Sequence, residues 1–313
     1  MRGYIGNTDF EWYRFLASQP DIDEVNFWQP SGGRGFRVLQ PGEPFFFRLK
    51  APHNAIAGFG YFASFSVLPA WLAWESFGLK NGARDFAEMR DCIEFYRRRN
   101  ASAVPERPGD YMIGCIMVAS PVFFPQELWV REPRDWAKNI VSGKGVDLTS
   151  GEGLRIFTEC LERAAGAVSP SSLVTTAEST VRYGEPTLVA PRLGQGIFRV
   201  SVLDAYDRAC AVTREHSLPV LEAAHIKPYA EGGEHTIRNG LLLRSDIHKL
   251  FDLGYVTVTP EYTFAISDAL YDDFHNGRTY YAEAGKQLYI PPAEELRPER
   301  ELLEWHREAV WRG

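Results

Sequence analysis

Residues 210–254 read CAVTREHSLPVLEAAHIKPYAEGGEHTIRNGLLLRSDIHKLFDLG, and the fold of the C-terminal part is legible in them. PVLEAAHI spells a short strand that delivers His225 at its end, where Pro228 stops regular pairing. A polar loop with a glycine pair, EGGEHTIRN, leads to a second strand, GLLLR. Ser245 can then cap a helix through Asp246, Ile247 and His248 to Asp252, with Gly254 as the residue that ends it. The order strand, loop, strand, helix predicts a ββα unit that brings two imidazoles, His225 and His248, together with the amide of Asn239.

Outward from this stretch, residues 192–208 read as a helix leading into it. The last 50 residues hold strand-like pieces and a closing amphipathic helix whose core contacts are Leu302, Leu303, Trp305 and Val310. Upstream, AAGAVSPSSLVTTAEST (164–180) is small, polar and nearly uncharged, the composition of a flexible connection. A chain of 313 residues is long enough for two domains, and the expected division is 1–163, a linker over 164–185, and 186–313. In the first part, residues 34–66 read as strands parted by turns at Pro41-Gly42 and Pro52-His53-Asn54, and 113–124 as a buried strand. AWLAWESFGL and DFAEMRDCIEFYRRR show helical spacing, with Phe86, Met89, Ile93 and Tyr96 on one face, and 150–163 reads as a further helix. The fold class is α+β, with the N-terminal strands expected to curl into a small β-barrel carrying helices.

Composition narrows the class. Thirty-four Lys and Arg against 41 Asp and Glu give a net charge of −7, which argues against an indiscriminate polycationic binder and leaves room for a local basic groove. Four cysteines without a CxxC pair exclude a disulfide scaffold and a four-cysteine zinc ribbon. The N-terminus has no apolar signal core, and no run approaches the roughly 18 apolar residues of a membrane span, so a soluble cytoplasmic protein is expected.

The stretch 210–254 resembles the HNH nucleases of the ββα-metal type, with His225, Asn239 and His248 in the three motif positions, 14 and then 9 residues apart. Its AAHIKPY…GG…NGLLL…H…FD…G context resembles a subgroup of restriction endonucleases. The resemblance implies phosphodiester hydrolysis assisted by one divalent cation, Mg2+ or Mn2+. His225 would take a proton from water, His248 would hold the metal, and Asn239 would fix the loop around His225 or reach the metal. Many family members carry a metal-binding Asp or His just before the first motif histidine, where this chain has Ala224. Asp252, one helical turn after His248, and Glu222, on the strand face of Ala224, are the two carboxylates that could complete the site. Lys227, Arg238, Arg244 and Lys249 crowd around the motif as candidate contacts to DNA phosphates, tempered by Glu231 and Glu234. His235, in the loop, reads as a solvated residue.

The N-terminal half is similar, more loosely, to PUA-like domains of the EVE, ASCH and SRA kind, through NFWQPSGG, the strand GEPFFFRLK and then AIAGFGYF. Such domains can hold an extruded modified base, stacked on aromatic faces. Asn26, Phe27, Trp28, Phe59 and Tyr61 are the candidate pocket residues, against the plain alternative that these rings fill the core. The expected function is a modification-dependent DNA endonuclease acting on double-stranded DNA with modified cytosine, a homodimer if it cuts opposite strands. The alternatives are a less selective HNH nuclease with a partner- or ligand-binding N-terminal domain, and a non-catalytic DNA-binding protein.

Overall fold

A computed structural model of the chain describes residues 1–32, 35–99, 111–167, 193–275 and 277–313. They form two compact units, Met1–Leu193 and Gly194–Gly313. Of the expected linker, residues 164–167 complete a helix, and 168–185 lie outside the described residues.

The first unit runs β1 (Arg2–Thr8), α1 (Phe10–Ala17), β2 (Glu24–Gln29), β3 (Pro44–Leu49), β4 (Ala55–Pro69), α2 (Ala70–Phe77), α3 (Phe86–Arg99), β5 (Met112–Phe123), β6 (Val130–Arg131), β7 (Gly143–Asp147) and α4 (Gly151–Ala167). Its sheet has the order β2-β5-β4-β3-β1-β7, with β6 added beside β4; β1 and β3 are parallel and the other pairs antiparallel. The α+β class matches the sequence reading, but the barrel does not close. Among the described residues the path ends at β2 and β7, which do not pair. Register shifts between Phe46 and Arg48, Phe59 and Tyr61, and Phe62 and Ser64 bend the central strands without joining those ends.

Alternation along β3 explains its unbroken FFF run. Phe45, Phe47 and Leu49 belong to one core with Trp12, Tyr13 and Val118, while Phe46 belongs to the other with Ile56, Phe59 and Phe157. Both faces of the sheet are thus covered, and every residue of β3 is buried. Arg48 is the polar exception: its guanidinium bonds Glu132, Asn7 and Asn54 and lies 4.4 Å from the Trp136 ring centre. A buried cation is tolerable only with such full pairing.

The second unit runs α5 (Gln195–Ala205), β8 (Leu221–His225), β9 (Gly240–Arg244), α6 (Ser245–Asp252), β10 (Val256–Val258), β11 (Phe264–Ile266), α7 (Ala269–Phe274), α8 (Arg278–Tyr281) and α9 (Arg300–Ala309). Its strands make two hairpin sheets, β8-β9 and β10-β11. Gly254, with φ +76°, ends the turn after α6, and a Cβ there would sit 2.1 Å from the Val310 carbonyl oxygen. No helix among the described residues is long and apolar enough to cross a membrane.

The closing helix is pinned by a residue outside the expected core set. His306 is 2% exposed, and its ring stacks on Phe251 of α6 at 3.7 Å. Its Nε2–H donates to the Phe251 carbonyl, so its neutral Nδ1 accepts from the Thr257 hydroxyl. Burial pushes this imidazole down from 6.5 to about 4. Between those values the unfolded chain binds a proton that the folded chain refuses, so stability rises with pH across that window and levels off above it. Acidification from pH 7 to 4.5 is expected to cost this unit up to about 3 kcal/mol through His306. Hydrogen exchange over 245–258 and 300–310, corrected for intrinsic rates, should show that loss, and His306→Phe should flatten it.

Candidate active site

The ββα unit is built as its sequence predicts. β8 and β9 pair antiparallel from Leu221↔Arg244 to His225↔Gly240, which puts His225 at the end of its strand. Gly240 opposite it has no room for a side chain: a Cβ would lie 2.5 Å from Val202 Cγ2 and 3.1 Å from Phe198 Cε2. That bare strand position lets α5 approach closely, and the His225 ring stacks on Phe198 at 3.9 Å with planes 16° apart. Leu241, Leu242 and Leu243 are buried, as is Ala224 opposite Leu241. Ser245 is the first residue of α6 rather than its cap; Arg244 holds the cap position and pairs with Asp246 in the first turn.

Asn239 is 1% exposed, and its amide is spent on the loop. Oδ1 accepts from the Lys227 N–H at 2.9 Å, and Nδ2 donates to the carbonyls of Lys227 and Glu234, each at 2.9 Å. Its backbone carbonyl accepts from Ile226. These bonds close the loop on itself just after strand pairing ends at His225. Gly233 makes the closure possible, because a Cβ there would stand 1.9 Å from the Lys227 oxygen and 2.9 Å from Asn239 Nδ2.

His225 is held neutral. Burial pushes its imidazole down to about 4, and the neighbouring His235 and His248 push in the same direction. Its Nε2 lies 2.9 Å from His235 Nδ1. The reading of His235 as a solvated loop residue is therefore corrected: it is partly buried, bonded to His225 and stacked on Tyr229 with planes 4° apart. The signal available in the sequence was its place in the loop that Asn239 would close.

His248 lies between the two candidate carboxylates. Its Nδ1 is 2.6 Å from Glu222 Oε2, a donated hydrogen bond, since a carboxylate only accepts. In the neutral ring this leaves the lone pair on Nε2, and Asp252 Oδ1 faces that nitrogen at 3.5 Å. Two acceptors turned toward each other need a cation or a proton between them, so His248 and Asp252 fit as a pair of ligands to a divalent ion. Glu222, on the other ring edge, fits as the partner that orients the histidine. Among the described residues no set of three His, Cys, Asp or Glu side chains converges on one point, because the two carboxylates lie on opposite edges of the ring.

The other candidates are more dispersed. Arg238 is paired with Glu299 and Arg244 with Asp246, while Lys227 lies over the Trp305 ring at 5.3 Å. Lys249 is exposed and has no ion-pair partner among the described residues. In the first unit, Asn26 is fully buried and donates to Asn81 Oδ1 and Cys115 Sγ, and Phe27 is packed among Trp12, Phe45 and Phe47. Trp28 is partly buried, its indole N–H on the Asn81 carbonyl. Phe59 is buried in the opposite core, with partly buried Tyr61 against it. Phe27 and Phe59 lie on opposite faces of the sheet, so the five side chains do not line one pocket.

The family comparison falls on the same segment. Residues 210–259 match the family model for the HNH endonuclease. The second unit thus carries an HNH endonuclease domain and is the nuclease part of the chain; HNH nucleases generally use a divalent metal ion. A search of curated proteins returns no significant match. Among solved structures, the ASCH protein of Zymomonas mobilis is similar over 53% of this chain and 96% of its own, at 11% identity and a TM-score of 0.31. The modification-dependent restriction endonuclease TagI is similar over 97% of this chain and 81% of its own, at 13% identity and a TM-score of 0.30.

Replacing the clamp should open the loop. Asn239→Asp keeps an acceptor for Lys227 but loses both donors, leaving two carbonyls unpaired at a cost of about 1–3 kcal/mol each. Hydrogen exchange over 226–239 should speed up while α9 keeps its protection.

Proposed function

We propose that the chain is a divalent-metal-dependent endonuclease acting on double-stranded DNA, with His225 as the general base. The observation that carries this reading is His248 held between Glu222 and Asp252, inside a ββα unit that also presents a neutral His225. An imidazole at about 4 is unprotonated at pH 7 and free to take a proton from a water molecule aligned with the scissile phosphate. His248 Nε2 and the Asp252 carboxylate would hold one Mg2+ or Mn2+, which when bound supplies positive charge to the phosphate and the leaving oxygen. Glu222 keeps the His248 lone pair on Nε2, the nitrogen that faces Asp252. Ala224 contributes no ligand, and two protein donors supplemented by water and phosphate oxygens suit a hard cation. Lys249, exposed on the same helix as His248, is the cation best placed to meet a DNA phosphate, and Lys227 is next. Cutting opposite strands would call for a homodimer.

The finer reading is that the first unit selects the target by holding a modified cytosine, as its PUA-like resemblance implies. Trp28 and Tyr61 are the candidates for stacking on such a base. Both keep part of their surface, whereas Asn26 and Phe59 are enclosed.

Plasmid cleavage with Mg2+ or Mn2+, on unmodified and cytosine-modified DNA side by side, tests both levels. Cutting confined to modified DNA is expected, and His225→Ala should lower the rate by about 10²-fold or more. Equal cutting of both substrates would remove the modified-base reading and leave the nuclease. Absence of metal-dependent cutting would remove the nuclease reading itself. Glu222→Gln should raise the metal concentration for half-maximal binding, measured by calorimetry, by about 10- to 100-fold.

A further inference from the structure

The imidazole of His225 has one hydrogen-bonding partner among the described residues, His235, whose Nδ1 lies 2.9 Å from His225 Nε2. Stacking on Phe198 sets the plane of the His225 ring but cannot distinguish its two edges, since the face of a phenyl ring makes no hydrogen bond that would select one nitrogen. Asn239 cannot select an edge either, because its amide is committed to Lys227 and Glu234. His235 alone breaks the degeneracy. It is itself held, with its ring parallel to Tyr229 at 5.0 Å and its chain pinned through the Glu234 carbonyl by Asn239.

Two neutral imidazoles that meet nitrogen to nitrogen need one donor and one acceptor. A base must keep its lone pair on the nitrogen that faces water, and the nitrogen turned to His235 is not that one. We infer that His235 is a positioning residue for His225: its Nδ1 accepts the Nε2–H of His225 and locks the tautomer in which Nδ1 of His225 takes the proton. The inference rests on the reading of His225 as the general base. In the step it serves, an O–H bond of water breaks and an N–H bond forms at His225 Nδ1. The water oxygen gives its electron pair to phosphorus, and the bond to the leaving oxygen breaks with its pair on that oxygen. The imidazolium formed then donates from Nε2 to His235 in a charge-assisted bond, which strengthens as the charge develops.

The test uses the full chain with nitrogen-15 in its seven histidines, His225 being assigned by its loss in His225→Ala. Side-chain nitrogen NMR at pH 7.5 should show wild-type His225 with its proton on Nε2. His235→Phe keeps a ring on Tyr229 but offers no acceptor, and His225 should become a mixture of tautomers. His235→Asn puts an amide oxygen close to the position of Nδ1 and should restore the single form. In single-turnover cleavage His235→Phe should be about 10²-fold slower with DNA affinity within about twofold of wild type, and His235→Asn should recover at least about tenfold. A proton on Nδ1 in the wild type, an unchanged tautomer in His235→Phe, or a loss confined to DNA affinity would overturn the inference. A locked tautomer in a wild-type protein that cuts no DNA would instead overturn the nuclease reading and leave the lock standing.

Discussion

The second unit depends on one buried amide. Between β8 and β9 the chain leaves regular pairing after His225, and the polar groups of Lys227 and Glu234 must find partners inside the loop. Asparagine is suited to this because one short side chain carries an acceptor and two donors, where aspartate has no donor and an aliphatic residue has neither. Gly233 completes the arrangement by letting the Lys227 carbonyl approach within a distance that any Cβ would block. His225 lies two residues before Lys227 and His235 lies next to Glu234, so closing the loop sets both imidazoles at once. The motif asparagine thus holds the loop through backbone groups of Lys227 and Glu234.

The two motif histidines are separated by environment. His225 lies on the ring of Phe198 beside another imidazole, surroundings that disfavour a positive charge and hold it neutral. His248 meets carboxylates on both ring edges, Glu222 at Nδ1 and Asp252 at Nε2. The contrast follows from the alternation of β8, since Glu222 and Ala224 share the face toward α6 while His225 turns toward α5. Two side chains of the same residue type are thus placed in different surroundings within the four elements α5, β8, β9 and α6.

The first unit shows the same alternation used for packing. Its central strand is buried on both faces, so consecutive phenylalanines enter different cores, and rings close in sequence separate in space. Several polar residues in that interior are met by named partners, while the buried Asn26 Oδ1 has no hydrogen-bond partner among the described residues. Arg48 is met by Glu132, Asn7 and Asn54, and Asn81 takes the indole N–H groups of Trp12 and Trp28 on its backbone oxygen. The order and aromatic content of these segments do not by themselves fix which rings share a face. An aromatic run marks a strand, but the face each ring takes depends on bulges and partners that lie far along the chain.

The sequence by itself determined the ββα unit, because its signals are local: a proline that stops a strand, a glycine pair in a loop, an apolar run, and a glycine with positive φ after a helix. It also singled out His225, Asn239 and His248 as candidates, since their spacing is a property of the chain alone. Tertiary structure decided what spacing does not encode. It set the open sheet in place of a barrel, the two opposite cores that divide Phe27 from Phe59, and the burial of His306 under α6. It also decided that Asp252 and Glu222 meet different nitrogens of one ring, and that His235 bonds His225. Each of these depends on contacts between elements, where a difference of a few ångströms in packing decides whether two polar atoms meet.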